Sequence, residues 1–123
     1  LRNAMAIGAF LRRGKRQRLI AVARYCRDSP DRTAEAAVTV HDNYQKIGIG
    51  TFLIDYLAWI GKQRGVEGFR AELQAFDPRM RRVLRRRFGR IKEYNLGDDG
   101  ILVAVSLKDW KGHENPALEP VPV

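Results

Sequence analysis

Apolar residues recur with two different periods along this chain, and the changes of period mark its elements. Residues 4–11 form a short apolar run interrupted by Gly8 and read as a strand. Residues 12–15 are a turn hinged on Gly14. In residues 18–26, Leu19, Ala21, Ala23 and Tyr25 alternate with Ile20, Val22 and Arg24, the pattern of a strand covered on both faces for most of its length. The two runs are expected to pair as a hairpin. After a loop at 28–31, residues 34–40 form a third strand, with Glu35, Ala37 and Thr39 on one face and Ala36, Val38 and Val40 on the other. A carboxylate among Ala, Val and Thr is out of place there unless it is paired or functional.

The period then changes to that of a helix. Phe52, Leu53, Tyr56, Leu57 and Ile60 put a core-facing stripe on residues 51–64, Lys62 and Arg64 suit the negative end of the helix dipole, and Gly65 fits the C′ position. Residues 69–76 alternate again as a strand. Asp77 reads as the N-cap and Pro78 as the first residue of a second helix, whose stripe is Met80, Val83, Leu84 and Phe88 and which ends at Gly89. Residues 91–96 are a weaker strand, 97–100 a hairpin turn, and 101–107 a strongly apolar strand. Residues 113–123, with Pro116, Pro120 and Pro122, are expected to be an extended tail, leaving 1–112 as the folded domain. The order strand, strand, strand, loop, helix, strand, helix, strand, strand makes a mixed α/β domain on one twisted sheet.

Between the third strand and the first helix lies Gln45-Lys46-Ile47-Gly48-Ile49-Gly50-Thr51. A strand, a Gly-x-Gly loop and a helix N-terminus bring free backbone N–H groups to the positive end of a dipole, where phosphate binds. The two usual nucleotide readings fail. A dinucleotide fold needs a third glycine, absent here, and a P-loop ends in Gly-Lys-Ser/Thr, whereas Gly50-Thr51 has no lysine.

With 123 residues the chain fits one domain, and no apolar run approaches the roughly 18 residues of a membrane span. Residues 1–11 do not read as a signal peptide, and the start on Leu1 rather than an initiator methionine points to a piece of a longer chain. Cys26 is the only cysteine, so no internal disulfide forms, a reducing cytoplasm is the default, and the thiol reads as a packed bystander. The formal charge of +9 is concentrated in Arg12, Arg13, Lys15, Arg16 and Arg18 and in the arginines of 79–90. That favours an anionic ligand or acidic partner. Charge alone would also suit nucleic acid, but base-stacking aromatics are not evident. No metal site is expected.

The loop and its flanks resemble the acyl-CoA-binding motif of the GNAT N-acetyltransferases. Val-x-x-x-x-Gln-x-x-Gly-x-Gly follows a strand and precedes an amphipathic helix, and "FRAELQAFDPRMRRVLRRRFG" is similar to that family's next strand and helix. The resemblance spans residues 4–107 and is nearest to bacterial protein lysine acetyltransferases of the Pat type. It implies a twisted, mostly antiparallel sheet flanked by helices, with acetyl-CoA as acyl donor and an amine acceptor, a protein lysine. In Pat-type proteins the domain is fused to a regulatory or acyl-CoA-synthetase-like domain. Strand 34–40 is implied to splay from 69–76. Pantetheine would then lie against the backbone of Val38, Thr39 and Val40, and the pyrophosphate on the N–H groups of Gln45, Lys46, Ile47, Gly48, Ile49, Gly50 and Thr51. Lys46 either adds a charge there or is simply solvated. Asp77 stands near a cofactor-contacting Asn of the family and either shares that role or only caps the helix.

Acetyl transfer to a lysine needs the neutral amine, hence a base, and a donor for the charge that develops on the thioester oxygen. Glu35 is the candidate base, at a place where Pat-type enzymes carry a glutamate. Its structural alternative is an ion pair with Arg24 or Arg70. Glu72 is a weaker candidate, and His41 is either a proton relay or a surface residue. The resemblance breaks in two places. The tyrosine that protonates the leaving thiolate in many relatives is replaced at Arg85, beside Leu84, and only Leu1, Arg2 and Asn3 precede the first strand, where relatives have a strand and helices. A small-molecule acetyltransferase and a non-catalytic CoA-binding sensor or docking module are the alternative readings.

Overall fold

The computed structural model describes residues 2–28, 32–45, 48–74 and 78–116. Two long strands, β1 (Arg2–Arg13) and β2 (Arg16–Asp28), form an antiparallel hairpin, followed by β3 (Thr33–Val40), helix α1 (Ile49–Gln63), β4 (Gly68–Gln74), helix α2 (Arg79–Phe88), β5 (Lys92–Gly97) and β6 (Gly100–Ser106). The six strands form one sheet in the order β1-β2-β3-β4-β6-β5. Every junction is antiparallel except β3–β4, which is parallel and is crossed by α1.

The element order matches the sequence expectation, with differences at the ends. The first hairpin is longer than the apolar runs 4–11 and 18–26, because its outer pairs, Arg12 with Gln17 and Arg13 with Arg16, are polar and hide the alternation. Its register shifts at Ala9/Phe10, where Ile20 is the extra residue on β2 and is buried. The β5–β6 turn has φ of 47° at Asp98 and 61° at Asp99, the pair of positive values that a type I′ hairpin requires. Helix α2 begins at Arg79, so Pro78 takes the N-cap place with φ −81° and ψ −7°, one residue earlier than the first helical position expected of it. Pro116 is buried, so the Pro-rich segment is held against the domain at least there.

Both helices cover the same face of the sheet. Ala21, Ala23 and Tyr25 of β2, Ala34 of β3, Phe69 of β4 and Val103 and Val105 of β6 meet Leu53, Ile54, Leu57 and Ala58 of α1 and Leu84 and Phe88 of α2. The buried stripe of α1 is rotated from the expected one. Leu53, Ile54, Leu57, Ala58 and Gly61 are buried, whereas Phe52, Tyr56 and Ile60 are only half-buried. The small residues Ala58 and Gly61 let the helix axis approach the sheet. A Cβ on Gly61 would already stand 3.1 Å from the Phe69 ring.

Helix α1 ends in a Schellman motif. Val66 N–H donates to Gly61 O at 2.8 Å, Gly65 N–H donates to Lys62 O, and Gly65 has φ 80° as expected for C′. The Arg27 guanidinium, from the end of β2, donates to the carbonyls of Arg64 and Gly65 just beyond the helix. One polar cluster lies between the helices. Asp55 Oδ1 accepts from Arg87 Nε at 2.8 Å and from Trp110 Nε1 at 2.9 Å, joining α1, α2 and the segment after β6.

Candidate active site

Strands β3 and β4 pair only from Thr33–Gly68 to Glu35–Arg70 and then diverge. Backbone groups of successive strand residues point alternately to the two neighbours. Arg32 O accepts from Glu67 N–H on the β4 side, and His41 N–H donates to Ile20 O on the β2 side. Ala36, Val38 and Val40 therefore turn their backbone groups into the gap that β4 has left. Val40 O is met there by Gln45 Nε2 at 3.2 Å. Thr39 points its N–H and C=O to β2 instead, and its exposed side chain lies on the face away from the helices.

Gly48, with φ 88°, turns the chain into α1 from the left-handed region, where a side chain would be strained. No side chain caps this helix and no acidic residue stands in its first turn. Phe52 makes the first i to i−4 bond, to Gly48 O at 3.0 Å, so the N–H groups of Ile49, Gly50 and Thr51 have no intrahelical acceptor. Among the described residues, a Cβ on Gly50 would meet only Val40 Cγ2, at 3.7 Å. Packing against the described residues thus does not demand glycine there, but close approach of a ligand to the first turn would. This helix end suits an anion as its cap. The residues present fit the phosphates of acetyl-CoA at the loop and its pantetheine arm in the gap. Lys46, Ile47 and Asp77 lie outside the described residues.

Glu35 sits where the pairing ends, on the open face of the sheet, with Cys26 and Arg70 as its neighbours across the strands. It is exposed and makes no ion pair or hydrogen bond among the described residues. Arg70 donates to Thr33 Oγ1 instead, so the pairing of Glu35 with Arg24 or Arg70 is not formed. Glu72 lies on the same open face and is exposed. His41 is exposed beyond the end of β3, its ring contacted by Arg18 at Nε2 and by Asn43 N–H at Nδ1. A neutral imidazole has one acceptor nitrogen, so only one of these contacts holds at a time. Helix α2 brings no acid to the gap: Leu84 is buried in the core and Arg85 pairs with Glu93 of β5 at 3.0 Å. Arg81 also holds Glu93. Its hydrogen bond to the carboxylate, helped by the nearby charges of Arg81 and Arg85, lowers the Glu93 pKa from its ordinary value of 4.5. The depression at the β5–β6 turn, lined by Glu93, Asp98 and Asp99 among others, is acidic and lies across β4 from the gap, so it does not suit phosphates.

The splayed sheet, the glycine-initiated helix and the exposed carboxylate at the fork define an acyl-CoA-binding acyltransferase scaffold. Residues 3–89 match the Acetyltransferase (GNAT) family, and the chain belongs to it. The acyl donor of the family is acetyl-CoA. Acetyltransferase Pat of Mycolicibacterium smegmatis is 39% identical over 69 residues, which cover 55% of this chain and 21% of that protein. The cAMP-binding acyltransferase from Mycobacterium smegmatis superposes with a TM-score of 0.62 at 30% identity over 72% of this chain and 27% of its own length. The GNAT domain of S. lividans PAT superposes with a TM-score of 0.64 at 22% identity over 82% of this chain and 60% of its own. The chain thus spans only about a fifth to a quarter of the M. smegmatis proteins it matches. No described helix is long and apolar enough to cross a membrane.

Proposed function

We propose that this chain is the acyl-transfer domain of an acetyl-CoA-dependent N-acetyltransferase that acetylates a protein lysine, with Glu35 as general base. The observation that carries the reading is the exposed Glu35 carboxylate, without a partner among the described residues, at the point where β3 and β4 separate. A lysine amine entering over the open face gives one proton to Glu35. Its nitrogen then forms a bond to the thioester carbonyl carbon, the oxygen gains charge, and the N–H of Val38 or Val40, both directed into the gap, stabilises it. The C–S bond breaks, the CoA thiolate leaves, and the second proton of the nitrogen passes through solvent to that thiolate, giving the neutral amide and CoA thiol, since Arg85 and Leu84 supply no acid. Asp77 and Lys46 are assigned to the cofactor side. Similarity to the Pat acetyltransferase supports the lysine acceptor.

The relatives' greater length supports a fused regulatory domain, which the flanking sequence of the parent gene product would reveal. The reading of the catalytic site is tested with Glu35→Gln. Binding of acetyl-CoA by calorimetry stays as in wild type, and turnover on a lysine-bearing protein falls by about 10²–10⁴-fold, the usual contribution of a general base. Full turnover in the variant would remove Glu35 from the mechanism. CoA binding without turnover in the wild type would favour the sensor reading, and turnover on polyamines or aminoglycosides alone would favour a small-molecule acceptor.

A further inference from the structure

We propose that Arg79, the first residue of α2, is a ligand for a phosphate group of CoA, held ready by Gln45. This rests on the reading that CoA occupies the β3–β4 gap, and it adds the side chain of Arg79 to the backbone N–H groups at the start of α1. Arg79 Nη1 donates to Gln45 Oε1, and Gln45 Nε2 donates to Val40 O at 3.2 Å. One polar chain therefore runs from α2, at the C-terminal end of β4, to the last residue of β3, bridging the mouth of the gap. Val40 also lies beside the first turn of α1, its Cγ2 being 3.7 Å from where a Gly50 Cβ would be. The guanidinium thus stands one glutamine side chain away from the uncapped helix end. Gln45 orients it through a neutral amide carbonyl. A planar fork of donors oriented in advance matches phosphate oxygens better than a mobile ammonium, and it loses less freedom on binding. Arg79 itself is exposed, so a ligand reaches it from solvent.

Calorimetry with CoA, dephospho-CoA and pantetheine on the full chain tests this, with thermal unfolding as the check that each variant is folded. Arg79→Ala is expected to weaken CoA by about tenfold or more, the effect of losing a hydrogen bond to a charged group, and to leave pantetheine unchanged. Arg79→Lys recovers part of the loss. Gln45→Ala, which keeps the charge and frees its position, lies between wild type and Arg79→Ala. Lys108→Ala removes the same charge at the other end of the sheet and leaves CoA affinity unchanged. A loss that persists with dephospho-CoA assigns the contact to the pyrophosphate, and one that vanishes assigns it to the 3′-phosphate. Equal CoA affinity in Arg79→Ala and wild type overturns the proposal, as does an equal loss for CoA and pantetheine. Failure of the wild type to bind CoA would instead overturn the reading of the gap.

Discussion

Removing the carboxylate of Asp55 should cost this domain a large part of its stability, though the residue is remote from the chemistry. Asp55 Oδ1 accepts two bonds, from Arg87 Nε at 2.8 Å and Trp110 Nε1 at 2.9 Å. In Asp55→Ala the indole N–H of Trp110, a residue only 6% exposed, is left without an acceptor, which costs about 1–3 kcal/mol. The Arg87 side chain is 28% exposed and can turn to water, so its share is the smaller, about 0.5–1 kcal/mol. The sum is about 3 kcal/mol, or a fall in melting temperature of roughly 10 °C for a domain of this size. Urea unfolding followed by far-UV circular dichroism measures it without relying on indole emission, which Trp59 and Trp110 share. Asp55→Asn keeps a neutral oxygen for the indole and should lose about half as much. A double-mutant cycle with Trp110→Phe should give a coupling of about 1–2 kcal/mol. A loss below about 0.5 kcal/mol in Asp55→Ala, or equal losses in the Ala and Asn variants, would refute the reasoning from unsatisfied donors.

Two further outcomes concern stability. Tyr25 is 1% exposed and its hydroxyl has no hydrogen-bond partner among the described residues, so Tyr25→Phe should raise the urea midpoint with an unchanged slope, a gain of about 1 kcal/mol; a lower midpoint would show that the hydroxyl is satisfied. Because Arg81 and Arg85 lower the Glu93 pKa in the folded state, the unfolded chain binds its proton first as the pH falls. The stabilisation by Glu93 is therefore complete above the ordinary value of 4.5 and is lost as the pH drops through the lowered pKa. Wild type and Glu93→Gln should differ by a constant, salt-sensitive amount near neutrality and converge in acid, and a difference that grows in acid would contradict the sign.

The elements that position the site were legible because each carries local signals. The alternation of 34–40, the glycines of the loop and the C′ Gly65 are all read within a few residues of one another. The fork between β3 and β4 came with the family resemblance rather than from periodicity, since where two strands part depends on pairing across a crossover. The Asp55 cluster was missed for the same kind of reason. An aspartate in an amphipathic helix looks like an ordinary solvent-facing residue, and its indole partner is 55 residues away. The Arg79–Gln45 contact, 34 residues apart, is likewise invisible to spacing, although each residue alone stood in a segment already marked as basic or phosphate-binding. The rotation of the α1 stripe toward Ala58 and Gly61 escaped detection because small residues contribute little to a hydrophobic pattern while permitting the closest approach.

The three-pair parallel junction also governs how this domain assembles. Strands β1, β2 and β3 are joined by short connections and can zip together quickly, as can β5 and β6. The seam between β3 and β4 closes only after the chain from Val40 to Gly68 has been brought round with α1 in place, so its loop-closure entropy is met late and returns few ladder bonds. The two half-sheets are therefore expected to order first and to dock last along the line that the cofactor would occupy. A molecule that fills the fork then acts as a wedge completing the tertiary structure, and slowed unfolding is the kinetic trace it would leave.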